Sequence, residues 1–464
     1  MERFLYSLLT NAASSNLGAI TQQTHSLLLT TGHLIRSIRL FNTLLRSYSL
    51  GGSPQKAFSL YNQLQSLYCF HSSSSSSLQL PSFDSFSYTF LINAATHASS
   101  LPIGTQFQGR GIKAGFHSHV YVQTAALNMY AAAGVWSDAL QVFDEMPDRN
   151  SVSWNVLITG LVRWGELEYA RSLFDEMPEK NVVTWTGMID GHVRIGRFGE
   201  GLSLFQRMVC CENMKPSEIT ILALMPAVSG LKDMRVCRLV HCYAEKRGLI
   251  AFDIRVANSV IDTYAKCGCI ESASRFFEDL MERKNLVSWT TIITGLAMHG
   301  FGEEAVERFD RMEKAGWKPN RVTFLSVFNA CSHGGLVDQG LKFLEKMVNE
   351  YQILPDIKHY GCLVDMLARL GRLEEAENLA LGIPTEIANV VVWRTLLGAC
   401  SFHDNVEMAE RVTRKIMEME RGYGGDYVLM HNIFVGAGRF GDAEKFRKLM
   451  HQRNAIKLPG QSAI

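Results

Sequence analysis

Apolar residues recur at spacings of three and four along most of the chain, interrupted at regular intervals by glycine and by Asn or Asp. That period puts them on one face of a helix, so the chain reads as a succession of short amphipathic helices. When the blocks beginning at Val120, Ser151, Val182, Ile254, Leu286 and Ile357 are aligned, a glycine falls at one common offset: Gly134, Gly165, Gly196, Gly268, Gly300 and Gly371. Glycine suits the left-handed turn that ends one helix before another starts. Small residues follow at Ala139, Ala170, Gly201, Ala273, Ala305 and Ala376, where two helices can approach closely. Phe143, Phe174, Phe205, Phe277 and Phe309 come next, with Ala380 as the exception, and then Met146, Met177, Met208, Leu280, Met312 and Ile383. Upstream of the glycine, Trp185, Met188, Ile189 and Val193 typify the apolar face of the leading helix.

Each block is therefore expected to be a helical hairpin that buries its apolar face only by stacking on neighbours. The segment Asn181-Val-Val-Thr-Trp-Thr186 returns as Asn150-Ser-Val-Ser-Trp-Asn155 and as Asn285-Leu-Val-Ser-Trp-Thr290, which marks the chain as an array to be read repeat by repeat. Blocks starting at Ile38, Ser85, Glu218 and Arg321 fit less tightly. The first keeps Gly52, Ala57 and Tyr61 at the matching offsets but is lengthened by the serine run 72–77, which reads as a flexible surface loop. A chain of 464 residues is too long for one compact core, and a repeat array escapes that limit.

Composition narrows the function. With 47% hydrophobic and 20% charged residues the chain is ordinarily globular, and a net charge of +1 gives no strong field toward nucleic acid or anionic membrane. Any nucleic-acid binding must rest on local, specific contacts. The ten cysteines are scattered apart from Cys210-Cys211 and Cys267-Gly-Cys269, unlike a secreted disulfide framework, so reduced thiols are expected. No uncharged apolar run is long enough for membrane insertion. Between Glu2 and Asp84 there is no acidic residue, while Arg3, Arg36, Arg39, Arg46 and Lys56 stand among many Ser and Thr. Such a leader suits organelle import; a repeat region that happens to lack acids is the alternative.

The alternation of short blocks (120–150, 151–181) with longer ones (286–320) and the longest (218–253, 321–356) resembles the plant pentatricopeptide repeat family, in its subclass of mixed repeat lengths. The match is carried by Asn285-Leu-Val-Ser-Trp-Thr-Thr-Ile-Ile-Thr-Gly295, Ile261-Asp-Thr-Tyr-Ala-Lys-Cys-Gly268 and Val142-Phe-Asp-Glu-Met-Pro147. The tetratricopeptide unit, a protein-interaction scaffold, has a uniform pitch of about 34 residues and a different signature. The resemblance implies an all-α, right-handed superhelical solenoid of helix-turn-helix repeats. It implies a leader and repeat remnant over 1–37, about ten repeats over 38–389 (38–84, 85–119, 120–150, 151–181, 182–217, 218–253, 254–285, 286–320, 321–356 and 357–389) and a helical extension over 390–464.

In this family one repeat faces one base of unpaired RNA, and few side chains discriminate. The resemblance assigns that task to the fifth residue of each repeat and its last. Asn42 with Asp84 would favour uracil; Thr124 with Asn150 and Thr290 with Asn320 adenine; Asn155 with Asn181 and Asn258 with Asn285 pyrimidines; Thr186 with Ser217 a purine. The second residue, here Val152, Val183 and Val287, would pack on base faces. Thr89 with His119, Leu222 with Asp253 and Leu325 with Asp356 stay unread. The implied footprint from 5′ to 3′ is U-n-A-Y-R-n-Y-A-n-n. The structural alternative is that these Asn and Thr residues only cap helices.

From Val390 the register changes, with Val391-Val-Trp393-Arg-Thr-Leu-Leu-Gly-Ala-Cys400, Asp426-Tyr-Val-Leu-Met430 and Gly436-Ala-Gly-Arg439. This resembles the E domain of organellar RNA-editing factors, as does the close Leu458-Pro-Gly-Gln-Ser-Ala-Ile464, which has Gln461 and Ala463 where the family commonly has Cys and Trp. Family members that deaminate carry a zinc module with His-x-Glu and Cys-x-x-Cys motifs, because zinc must activate the attacking water. None of the 14 histidines is followed two residues later by Glu, and Cys-x-x-Cys does not occur. Neither a catalytic role nor a metal or cofactor is expected. Gly436-Ala-Gly438-Arg-Phe-Gly441 matches a dinucleotide fingerprint, but between two amphipathic stretches it reads as an interhelical turn. The resemblance thus implies an RNA-binding specificity factor for C-to-U editing, in a mitochondrion or alternatively a chloroplast. Its partners would be single-stranded organellar RNA and a separate deaminase-bearing protein recruited through 390–464. The same RNA binding without the editing outcome would serve splicing, stability or processing.

Overall fold

The computed structural model describes residues 6, 18–31, 34, 37–72, 82–420 and 422–453. The chain divides into two compact units, Met1–Ala227 and Val228–Ile464. Every regular element among the described residues of either unit is helical, as the period of the apolar positions predicts.

In the first unit the helix Gly18–Thr30 precedes a run of hairpins: Ile38–Leu50 with Pro54–Ser72, Ser85–His97 with Leu101–Lys113, and Val120–Ala133 with Trp136–Asp144. Ser151–Arg163 with Leu167–Glu176, and Val182–Arg194 with Phe198–Cys210, complete the run. The first helix packs on the next one: Leu28 is buried and His25 Nδ1 lies 2.8 Å from the Tyr48 hydroxyl. Most of the expected leader, the serine run beyond residue 72 and the close 458–464 lie outside the described residues.

The helix Glu218–Leu231 carries the chain into the second unit. There Ile254–Lys266 pairs with Ile270–Asp279, Leu286–Met298 with Gly302–Lys314, and Arg321–Gly334 with Val337–Glu345. Ile357–Arg369 then pairs with Leu373–Leu381, Val390–Phe402 with Val406–Met419, and Gly424–Gly436 with Phe440–Gln452. The two longest blocks spend their extra residues on local structure: a one-turn helix Leu249–Phe252 after Met234–Lys246, and a π-turn Lys346–Glu350.

Three features of the repeat explain the hairpins. The turn glycine takes the left-handed conformation, as at Gly165 (φ +88°), which a side chain would strain. Gly438 does the same (φ +71°) between two helices, so the dinucleotide-like segment is an interhelical turn. Small residues bring helices together: a Cβ on Gly191 would sit 2.5 Å from Val162 of the preceding leading helix. Finally, the trailing-helix Phe of one repeat meets the leading-helix Trp of the next edge-on. Phe143–Trp154 and Phe174–Trp185 have ring centroids 4.8 Å apart, and Phe277–Trp289 4.9 Å. Phe205 departs from this row and is only half-buried.

In most repeats the last residue starts the next one by capping its leading helix; His119 makes no side-chain cap. Asp84 accepts from the Ser87 amide at 2.9 Å, Asn150 from Ser153 at 2.9 Å, and Asn181 from Val183 and Thr184 at 3.0 and 3.1 Å. Asn285 accepts from Ser288 at 2.9 Å and Asn320 from Thr323 at 3.0 Å. The sequence alternative of capping therefore holds for these terminal Asx residues.

Trp185 is fully buried, so Trp185→Ala is expected to cost about 3–5 kcal/mol in urea unfolding; a cost under ~1 kcal/mol would contradict the edge-on packing. Capping accepts either Asx residue, so Asp84→Ala should lower stability by ~1 kcal/mol while Asp84→Asn changes thermal unfolding little.

Candidate nucleic-acid interface

A cap uses one side-chain oxygen of the terminal Asx. The other atom, carboxylate oxygen or amide nitrogen, is left over, and in the repeat ending at Asp84 it lies beside the fifth residue of its own repeat. Asn42 Nδ2 donates to both Asp84 carboxylate oxygens at 2.9 and 3.0 Å. In two other repeats the cap oxygen itself is shared. Asn155 Nδ2 reaches Asn181 Oδ1 at 3.2 Å, and Asn258 Nδ2 reaches Asn285 Oδ1 at 3.3 Å. Three of the six sequence-predicted pairs are thus in direct contact across most of a repeat's length of sequence.

The threonine pairs are arranged differently. Thr186, Thr290 and Thr124 each donate their hydroxyl to the carbonyl one turn back, at Val182, Leu286 and Val120, with distances of 2.7, 2.8 and 2.7 Å. No hydrogen bond joins Thr124 to Asn150, Thr186 to Ser217 or Thr290 to Asn320. Thr186 and Thr290 meet instead the third residue of the next repeat, Thr220 at 2.7 Å and Thr323 at 3.0 Å. Ser217 in turn lies 3.1 Å from the Thr220 hydroxyl.

The second-position valines stand out into solvent: Val152, Val183 and Val287 are each more than half exposed. The same row continues through Phe86, Tyr121, Ile219, Val322 and Val391, all exposed, which the sequence reading did not single out although they share the offset. Phe86 and Tyr121 have ring centroids 5.5 Å apart, too close for a base to enter without their separating. At the junction after repeat 182–217 the row forms a slot. Val183 and Ile219 are its apolar lining, Thr186 and Ser217 its polar lining, in a groove of about 480 Å³ within the first unit. A planar base fits between apolar walls while polar atoms meet its edge.

Charge in the grooves is largely internally paired. Asp190 and Arg194 line the Val183 slot and bond each other at 2.6 Å. Lys266 with Asp262 and Arg369 with Asp365 repeat this i,i+4 arrangement at 2.7 and 2.8 Å. The unread repeats differ in a telling way. Leu222 and Leu325 are half-buried and offer no polar atom, and Asp253 is gripped by Arg255 at 2.6 Å, which holds its carboxyl below the usual carboxylate range. In repeat 357–389 the fifth residue is Gly361, which contributes no side chain.

The hairpin Val390–Phe402/Val406–Met419 keeps the repeat geometry at its start, with Asn389 as N-cap, exposed Val391 and buried Trp393. Its fifth residue, however, is Arg394. The guanidinium bonds Asp426 through two nitrogens at 2.8 Å each, reaches Glu420 at 2.9 Å and lies 4.4 Å from the Tyr423 ring centroid. The Nε and Nη2 side of the guanidinium is thus occupied by carboxylates. Among the described residues no helix is long and apolar enough to cross a membrane, and no group of three or more His, Cys, Asp or Glu could hold a metal ion.

Comparison with known proteins agrees with this fold. A PPR repeat model matches residues 39–69, 124–151, 152–182, 183–212, 256–285, 322–351 and 358–379, a second PPR repeat family model matches 284–333, and an E motif matches 403–464. A mitochondrial pentatricopeptide repeat-containing protein of Arabidopsis thaliana is 56% identical over 96% of this chain and 90% of its own length. A second from the same plant is 38% identical over 92% and 78%. The mitochondrial location expected from the sequence agrees with the first, while a relative that is 32% identical over 92% of this chain and 59% of its own length is chloroplastic. The maize repeat protein PPR10 shares the fold at a TM-score of 0.56, with 17% identity over 97% of this chain and 74% of its own. PPR10 in complex with an 18-nt psaJ RNA element gives 0.60, with 16% identity and the same coverage. This chain belongs to the pentatricopeptide repeat family.

Proposed function

We propose that the chain binds single-stranded organellar RNA in mitochondria, one nucleotide per repeat, and selects a cytidine for C-to-U editing by recruiting a separate deaminase through residues 390–464. The observation that carries the RNA reading is the recurrent pairing at repeat junctions. The terminal Asx is anchored by its cap, and the Asn42–Asp84, Asn155–Asn181 and Asn258–Asn285 contacts put paired polar side chains at the same place in three repeats. Capping tolerates Asp, Asn and Ser alike, so the identity of that residue is free to vary with the base. A relative of the same fold has been seen with an RNA element bound, which supports the class of ligand.

The editing part rests on the E motif over 403–464. Attack on cytosine C4 needs a metal-activated water and a carboxylate to move protons. These 464 residues contain neither His-x-Glu nor Cys-x-x-Cys, so we assign that chemistry to the partner. The Arg394 ion-pair cluster supports the division of labour: base reading stops at repeat 357–389, and the hairpins beyond it are available for protein contact.

Asn320→Asp should move the preference of repeat 286–320 from adenine toward guanine in a bind-and-sequence selection; unchanged selectivity would remove the Thr290–Asn320 assignment. Because groove charges are internally paired, affinity should fall far less between 50 and 200 mM salt than the roughly 10³-fold expected of a protein making six or more phosphate contacts. Comparing mitochondrial transcripts from plants with and without the protein tests the outcome: a lost C-to-U site supports editing, and a splicing defect with all sites edited overturns it.

A further inference from the structure

Each reading junction contains a third polar residue that neither the repeat pattern nor its resemblance assigned. It is the third residue of the following repeat. Ser87 Oγ lies 2.7 Å from Asn42 Oδ1, Thr184 Oγ1 2.6 Å from Asn155 Oδ1, and Ser288 Oγ 2.7 Å from Asn258 Oδ1. All three hydroxyl residues are buried, and each also belongs to the N-cap turn of its own helix through Asp84, Asn181 or Asn285.

Chemistry fixes the direction of these bonds. A carboxylate accepts only, so the amide nitrogen of Asn42 must face Asp84 and its carbonyl must face Ser87. The Asn181 oxygen already accepts two backbone amides, so Asn155 must present nitrogen to it and oxygen to Thr184. The hydroxyl therefore donates to the fifth-residue carbonyl and holds the amide against a flip. At threonine repeats the same hydroxyl acts on a different group. Thr186 and Thr290 donate their own protons to Val182 and Leu286, and their hydroxyl oxygens lie 2.7 and 3.0 Å from those of Thr220 and Thr323.

The distribution along the chain supports a role beyond capping. Where the fifth residue is leucine, the third residue of the next repeat is Val256 or His359, and the His359 Nε2 bonds the Arg321 carbonyl at 2.9 Å instead. Where the fifth residue is Arg394, the corresponding residue is Asp426, its charge complement. Thr89 is the exception: its junction carries Val122, and there His119 makes no side-chain cap.

We propose that at five junctions the third residue of the following repeat is a positioning residue for base selectivity: Ser87, Thr184 and Ser288 orient the reading amides of Asn42, Asn155 and Asn258, and Thr220 and Thr323 orient the hydroxyls of Thr186 and Thr290. The inference rests on the RNA-reading proposal above. It makes specificity a three-residue property that spans two repeats.

The test is a bind-and-sequence selection with the full chain. Thr184→Val keeps the side chain's volume and puts there what Val122 and Val256 already are at their own junctions. It should weaken pyrimidine discrimination at the nucleotide facing repeat 151–181 by roughly three- to tenfold, the worth of one hydrogen bond, and leave the other positions unchanged. Thr184→Ser should restore it. Ser288→Ala should do the same at the nucleotide facing repeat 254–285, which keeps the test open if one variant folds poorly. Ser153→Ala is an internal control: Ser153 Oγ bonds the Asn150 carbonyl at 2.8 Å and does not touch Thr124, so selectivity at repeat 120–150 should not move. If Thr184→Val and Ser288→Ala lower affinity for all sequences equally, or lower only the melting temperature, the residues are structural and the inference is overturned. If Asn155→Ala itself leaves selectivity untouched, the reading proposal fails and takes this one with it. If Asn155→Ala abolishes selectivity while Thr184→Val and Ser288→Ala do not, only the positioning role falls.

Discussion

Every leading helix must satisfy the amides of its first turn, and in this chain most do so through the residue that ends the previous repeat. That single requirement ties structure to recognition. The cap pins Asp84, Asn150, Asn181, Asn285 and Asn320 at the mouth of a junction with one oxygen turned inward. A side chain held by a cap has less rotamer entropy left to lose in any further contact than a free surface Asx. Because Asp and Asn cap about equally well, the scaffold does not dictate which of them is present.

The junction in turn depends on stacking. The edge-on Phe–Trp pairs sit one layer beneath the caps, and basic residues lie over the same rings: Arg149 over Phe143, Lys180 over Phe174 and Lys284 over Phe277. In the second unit Glu278 gathers Lys284, Arg308 and Arg311, bridging consecutive trailing helices. Burial by itself would raise the Glu278 carboxyl, but these cations outweigh it and hold the group below its usual range. The outer helices thus spend their charges on one another. Asp190–Arg194 and Asp262–Lys266 are likewise paired, each within its own helix.

Much of the fold was legible because the array repeats its own rules. One glycine offset predicted left-handed turns, and Gly134, Gly165, Gly196, Gly268, Gly300 and Gly371 all have positive φ. The small residues Ala139, Ala170, Ala273, Ala305 and Ala376 are fully buried where two helices meet. The exceptions have local causes. The longest blocks absorb residues in a one-turn helix and a π-turn, features with no period of their own to detect. The second-position row beyond the three valines was missed because Phe86, Tyr121 and Ile219 read as ordinary apolar residues until their exposure is seen.

The sequence by itself determined the unit, its turn, its packing face and the positions at which polar residues recur, because each follows from spacing within one hairpin. It also placed Asn and Thr at the junctions but left reading and capping as rival explanations. The tertiary structure adds that the terminal Asx caps the next helix and, in three repeats, also meets the fifth residue of its own repeat, and that a hydroxyl from the next repeat closes the set. Those contacts join residues separated by most of a repeat or more, such as Asn42 with Asp84 and Ser87. Their meeting is fixed by how one hairpin stacks on the next, and no periodicity within a single hairpin encodes that distance.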